Sequence, residues 1–154
     1  MIQIRNLNRM LIQYGPKSIR KNLKNFSEAE TSQQPQVSGL SDDTCYSLIM
    51  IDPDAGKQKP NDPRPGNSDK YYLHWLIVNI SGGDISSGET LVPYQGPTPP
   101  PGTGKHEYMF QLYQQPCGLT RGLTIKNRPN WSLQEFLKGK NVTLVESQSM
   151  FVGK

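Results

Sequence analysis

Apolar and polar positions change their rhythm along this chain. Up to about residue 40 the chain is polar with weak periodicity, and Ser27–Gln36 reads as a loop. Ile4, Leu7, Leu11 and Tyr14 recur there at helical spacing. From Thr44 the pattern sharpens. Cys45–Ile51 is a short apolar run closed by Asp52-Pro53, a buried strand whose ladder Pro53, lacking an N–H, should stop. Tyr71–Ile80 is apolar on both alternating faces, which predicts a central strand covered on both sides. His106–Gln115 alternates, with His106, Tyr108, Phe110 and Leu112 on one face and Glu107, Met109 and Gln111 on the other. Ser132–Lys138 predicts one short helix with Ser132 as N-cap and Glu135 at the capping-box position. Asn141–Val145 predicts a late strand, followed by another at Ser149–Val152.

Two connections stand out. Asp52–Lys70 carries four prolines and Pro93–Lys105 five, so nine of the 13 prolines sit in two stiff loops. Long ordered loops in a compact domain are usually functional, and a stiff one loses less entropy on binding a ligand. The only two histidines, His74 and His106, are polar positions on otherwise apolar strands, and Asp52 closes the first strand. Each flanks a stiff loop, so the three are expected to meet at one end of a sheet.

Composition narrows the class. The 154 residues suit one domain, and 34% hydrophobic with 19% charged residues is neither a disordered nor a membrane composition. No apolar run approaches the ~20 residues of a membrane span. Fourteen glycines with the prolines favour turns and short strands. Cys45 and Cys117 have no partner-like spacing and are expected to be buried free thiols in a reducing compartment, hence a cytoplasmic location. Four Asn-x-Ser/Thr sequons, at Asn25, Asn79, Asn130 and Asn141, are read as chance, Asn79 lying inside an apolar strand. Charge is uneven. Six basic residues and no acidic one precede Glu28, whereas the remainder has 11 basic and 13 acidic residues, a net −2. That start is a solvated basic edge, a targeting helix or a patch for anionic surfaces. Without aromatic interleaving or a recognisable motif, nucleic acid is not expected as a partner.

The histidine–aspartate trio admits several chemistries. Two histidines and a carboxylate can form a facial metal triad, and with it a metal-dependent hydrolase. Nucleophilic catalysis has no G-x-S-x-G, and the zincin pattern fails after His106-Glu107. A P-loop fails between Gly96 and Lys105, because Gly-Lys-Ser/Thr is absent and the prolines offer no N–H. Anion binding needs only a protonated histidine, a tyrosine hydroxyl and loop N–H groups, with Asp52 holding a histidine charged. The glycines around Thr103 either allow a close backbone approach or make a turn.

Asp52-Pro53-Asp54-Ala55 after a strand, His74-Trp75 entering a V-N-I strand, and Gly-Thr-Gly-x-His-x-Tyr at Gly102–Tyr108 stand in one order at one spacing. In combination they resemble the phosphatidylethanolamine-binding protein (PEBP) family. The match is clear over Pro35–Gln115 and fainter over Trp131–Val152, and Leu11–Phe26 corresponds to the family's first strands. The resemblance implies a mainly β, single PEBP-like domain over residues 1–154, with a central antiparallel sheet, a smaller flanking sheet and one or two short helices. It implies a non-enzymatic anion pocket for phosphate, acetate-like ions and phosphatidylethanolamine-type head groups of phospholipids. Its ligand-binding residues fall on Asp52, His74, Thr98, Pro99, His106 and Tyr108, with Pro100 completing the proline-rich wall. No metal and no cofactor are implied. The implied role is a signalling regulator acting as a monomer through a protein partner; the alternatives are the hydrolase and a protease or kinase inhibitor module. Two departures matter: Gly56 stands where the family has proline, and Glu107 where it has arginine. Polar groups at a pocket mouth contribute little to a core, so replacing either histidine by alanine is expected to change stability by less than about 2 kcal/mol.

Overall fold

In the computed structural model, residues 9–60, 62, 69–119 and 123–153 are described. The chain begins with β1 (Leu11–Tyr14) and β2 (Lys17–Ser18), joined by a Gly15-Pro16 turn and paired antiparallel. The helical spacing of Leu11 and Tyr14 is therefore not realised. Ile12 and Tyr14 alternate inward at 0% and 4% exposure while Leu11 faces out, and Gly-Pro cannot continue a helix. Ile4 and Leu7 lie outside the described residues. After β3 (Asn25–Phe26), β4 (Gln36–Ser38) pairs with the other side of β1 and completes a three-stranded sheet, β2-β1-β4.

The larger sheet adds β5 (Cys45–Asp52), β6 (Tyr72–Ile80), β7 (Glu89–Val92), β8 (His106–Gln115) and β9 (Thr143–Val152), in the order β3-β9-β8-β5-β6-β7. All its pairs are antiparallel except β3 with β9. Every residue of β5 is buried, because β8 and β6 flank it and both its faces are covered. On one face Leu48, Met50, Trp75, Phe110 and Leu112 pack against Ile12, Tyr14 and Val37 of the small sheet. On the other, Ile49, Ile51, Leu73, Leu76 and Val78 pack against Trp131 and Phe136 around the short helix α1 (Leu133–Leu137). Ser132 caps that helix, its hydroxyl accepting from the Glu135 N–H at 3.1 Å.

β9 is one ten-residue strand where two shorter ones were expected. Its polar middle, Glu146–Gln148, hides the strand in sequence, but Gln148 pairs with Phe110 and Glu146 with Leu112. Two bulges interrupt β6. Met50 faces Trp75 and Ile51 faces Leu73, so His74 is an extra residue; Tyr46 faces Ile80 and Leu48 faces Ile77, which places Asn79 in the second, at φ +57°. Asn79 Oδ1 accepts from Gln115 Nε2 at 2.6 Å, which uses that sequon's amide inside the sheet.

The cysteines are not free thiols. Cys45 opens β5 opposite Gln115, and two residues beyond Gln115 lies Cys117; the pair forms a disulfide with Cα atoms 5.3 Å apart across a separation of 72 residues. Strand pairing supplied a proximity that sequence spacing did not show. A bonded pair also removes the support for a reducing compartment, and with it the reason for expecting a cytoplasmic location. Among the described residues no helix is long and apolar enough to cross a membrane.

Candidate anion-binding site

Asp52 ends β5 because Pro53 cannot extend the ladder. One carboxylate oxygen, Oδ1, accepts from the Asp54 N–H at 2.7 Å and turns the chain. The other, Oδ2, meets His106 Nδ1 at 2.9 Å, and both side chains are almost fully screened from water. Asp54 then accepts from the Glu107 N–H at 2.8 Å, strapping the Asp52–Ala55 turn to the start of β8.

On its far side, His106 Nε2 lies 2.9 Å from Thr103 Oγ1, and Thr103 Oγ1 lies 2.7 Å from the Pro100 carbonyl oxygen. The hydroxyl has one proton. With that proton on Pro100, Thr103 accepts from His106, and the carboxylate accepts from Nδ1. Each polar atom of the His106 ring thus has a buried partner, Asp52 on one side and Thr103 on the other. Gly104, at φ +78°, lets the turn close: a Cβ there would sit 3.0 Å from Pro60 in a backbone conformation that side chains avoid. The Gly-Thr-Gly sequence is thus a turn that delivers a buried threonine hydroxyl to His106.

His74 reaches the same region through its bulge. Its Nδ1 lies 2.7 Å from the Gln95 carbonyl oxygen, which can only accept, so Nδ1 is the protonated nitrogen and Nε2 is left for another partner. Gln95 returns the bond, its N–H donating to the His74 carbonyl at 3.0 Å. Arg128 clamps the backbone, donating to the carbonyls of His74 at 3.0 Å, Leu73 at 3.2 Å and Pro93 at 2.7 Å. Burial pushes the His74 pKa below that of a free imidazole; the Gln95 carbonyl and Asp52 oppose the shift, and the positive charges of Arg128 and His106 reinforce it.

Tyr108 joins the two halves. Its ring stands edge-on to His74 at 5.2 Å and nearly parallel to His106 at 6.3 Å. Burial, followed by the negative charges of Asp52, Asp54 and Glu28, pushes the phenol pKa far above its ordinary value, so the hydroxyl stays a donor. Pro97 and Pro99 are buried, and Thr98 between them is exposed and holds the only backbone N–H from Pro97 to Pro101. Glu107 points away from the pocket, its Oε2 accepting from the Ser149 hydroxyl at 2.7 Å.

The structure thus brings Asp52, His74, His106 and Tyr108 together, with the Thr98–Pro100 wall on the loop that also supplies Gln95 and Thr103. It does not arrange the metal triad of the hydrolase alternative. Both nitrogens of His106 are committed, and among the described residues no group of three or more His, Cys, Asp or Glu could hold a metal. Sequence reasoning missed the roles of Asp54, Gln95, Thr103 and Arg128. Only Thr103 carried a local signal, its flanking glycines; the other three act through contacts 21 to 55 residues away in sequence. The expected mildness of histidine loss also needs correction. His74 is 3% and His106 1% exposed, and truncating His106 would leave the buried Asp52 carboxylate without its partner, which costs about 3–5 kcal/mol. Grooves of about 530 Å³ beside Phe26 and Lys105, and about 500 Å³ beside Arg9 and Lys24, lie elsewhere on the surface.

A two-sheet β fold thus carries a histidine–aspartate–tyrosine cluster at one end of its larger sheet. The family model described as phosphatidylethanolamine-binding protein matches residues 17–151, and the chain belongs to that family. It is 38% identical over 131 residues to Protein MOTHER of FT and TFL1 homolog 2 of Oryza sativa subsp. japonica, covering 82% of this chain and 70% of that protein. The fold is similar to that of a carboxypeptidase Y inhibitor solved with its cognate proteinase (TM-score 0.73, 24% identity, 93% of this chain and 81% of that one). It is also similar to the phosphatidylethanolamine-binding protein of Plasmodium vivax (TM-score 0.71, 23% identity, 93% and 83%).

Proposed function

We propose that this chain, as a single domain, is a non-enzymatic binding protein for phosphate-type and related anionic head groups, phosphatidylethanolamine's among them, and that ligand occupancy modulates a protein partner in signalling. The pocket is formed by Asp52, His74, Thr98, Pro99, His106 and Tyr108. One observation carries the reading: His74 Nδ1 is anchored on the Gln95 carbonyl, which leaves Nε2 unprotonated beside Tyr108 and the Asp52–His106 pair. An anion entering there gives Nε2 a reason to take up a proton. The imidazolium, the Tyr108 hydroxyl and the Thr98 N–H are then donors for its oxygens.

Titration calorimetry with glycerophosphoethanolamine tests this. Its phosphodiester keeps one negative charge across the range, so any pH dependence belongs to the protein. Affinity should rise as pH falls from about 8 to about 6, and two buffers of different ionisation enthalpy should reveal proton uptake on binding. His74→Asn should abolish the uptake. Absence of binding, or an affinity flat with pH and without proton uptake, would overturn the proposal. A second reading, a protease inhibitor module, is favoured by the fold likeness to the carboxypeptidase Y inhibitor. Inhibition that survives unchanged in His74→Asn would separate partner binding from the pocket.

A further inference from the structure

The basic start of the chain is not spread evenly over the surface. The segment after β2 is a tight turn fixed by backbone bonds at three points. Ile19 donates to the Ile12 carbonyl at 3.0 Å, Arg20 and Leu23 exchange two bonds of 3.0 Å, and the Lys24 carbonyl accepts from the Phe151 N–H at 2.7 Å. This turn stands against the outer edge of β9 and, with the residues entering β1, encloses a groove of about 500 Å³. Arg9, Arg20, Lys21 and Lys24 line it, and no aspartate or glutamate does. Among the described residues none of the four makes an ion pair, whereas nearby Lys17 is paired with Glu30 at 3.1 Å. The adjoining carboxylate, Glu146 of β9, is occupied: Oε1 accepts from the Met10 N–H at 2.8 Å and Oε2 from Gln148 Nε2 at 2.6 Å.

The other wall supplies donors as well. Phe151 turns its N–H outward to Lys24, and the two-residue period of the strand turns the N–H groups of Ser149 and Ser147 to the same edge. Both serines line the groove. Four like charges held around one concavity repel each other, and the adjoining Glu146 carboxylate offsets one of them at most. A single monoanion would neutralise one of the four. A compact group carrying several phosphates would answer all of them, with the guanidinium forks of Arg9 and Arg20 suited to phosphate oxygens in pairs. The volume lies in the range of small-molecule sites.

We infer that this groove is a second anion site, separate from the histidine pocket, which takes a small polyphosphorylated group such as a phosphorylated inositol, either free or as a lipid head group. The site does not depend on the reading of the histidine pocket, since the two share no residue. It also assigns four of the six basic residues before Glu28 a place and a chemistry.

The test uses the full chain and inositol trisphosphate in titration calorimetry at about 0.15 M salt. The wild-type protein should bind, and binding should weaken as salt is raised. Arg20→Gln with Lys21→Gln should weaken it about tenfold or more, as expected when charge-assisted hydrogen bonds are lost. Both side chains are exposed and the turn is held by backbone bonds, so the thermal melt of this variant should match the wild type. Arg9→Gln with Lys24→Gln provides an independent second pair, and His74→Asn should leave trisphosphate binding unchanged. Vesicles of phosphatidylcholine doped with phosphatidylinositol bisphosphate distinguish the source. Tighter binding to vesicles than to trisphosphate identifies the lipid head group, and equal or weaker binding identifies the free ligand. No binding of trisphosphate by the wild type, binding undiminished in both groove variants, or binding lost in His74→Asn would each overturn the inference.

Discussion

Acidification tests the burial of His74 directly, without any ligand. In the unfolded chain an imidazole titrates near ~6.5. In the folded protein burial holds the His74 value lower, with the Arg128 and His106 charges adding to the effect. Well above pH ~6.5 neither state carries the proton, and His74 gives stability no slope. Between the unfolded value and the lower folded one, the unfolded chain binds a proton that the native ring does not. Stability must therefore fall as pH falls through that window. Its steepest slope for one proton is about 1.4 kcal/mol per pH unit, and it levels off once the native ring is also charged. His74→Asn isolates the effect, because the asparagine amide can still donate to the Gln95 carbonyl but does not titrate. Urea unfolding of both proteins at steps from about pH 7.5 to about pH 5 gives the difference free energy at each pH. Glu30 and Asp84, whose carboxyls are held low by hydrogen bonds, titrate in both proteins and cancel. The wild type should lose stability relative to His74→Asn as pH falls. Saturating glycerophosphoethanolamine should shrink that loss, since a bound anion favours the charged ring. A difference that stays flat across the window would mean that His74 titrates as it does in the unfolded chain, and would refute the argument from burial.

Three further outcomes follow from particular contacts. His106→Ala should lower stability by about 3–5 kcal/mol in urea unfolding, because the buried Asp52 loses its partner; a change under about 1 kcal/mol would show that Asp52 is protonated or solvated. Replacing both Cys45 and Cys117 by serine should lower stability by about 2–4 kcal/mol, and thiol titration of the unreduced wild type in denaturant should find no free thiol. Gly56→Pro restores the family's residue but should destabilise the protein by about 1–3 kcal/mol, since Gly56 holds φ +95° and proline is confined near −65°; an unchanged thermal melt would mean that the Asp52–Gly56 turn adopts another conformation in solution.

The local periods of this chain were enough to locate its strongest elements. Cys45–Ile51, Tyr71–Ile80 and His106–Gln115 are legible because both-face burial writes continuous apolar runs, and one-face burial writes alternation, whatever the partner strands are. The helix after Ser132 is legible because its cap is a local hydrogen bond. The family follows from three short motifs in order, and with it the candidate residues Asp52, His74, His106 and Tyr108, which the fold brings together. What sequence spacing could not supply is whatever depends on strand pairing. Cys45 and Cys117 look unrelated until β5 and β8 lie side by side. Glu146–Gln148 reads as a break until β8 pairs with it. The spacing of Leu11 and Tyr14 reads as helical until β4 takes up β1. The chemistry of the pocket belongs to the same group. A histidine's tautomer and charge are set by the groups its two nitrogens meet, and the Gln95 carbonyl, Thr103 and the Arg128 clamp come from segments that only the closed sheet brings together. Local hydrogen bonds and side-chain period act within a few residues and can be read in order along the chain. Register and proximity are properties of the whole fold, and only the tertiary structure decides them.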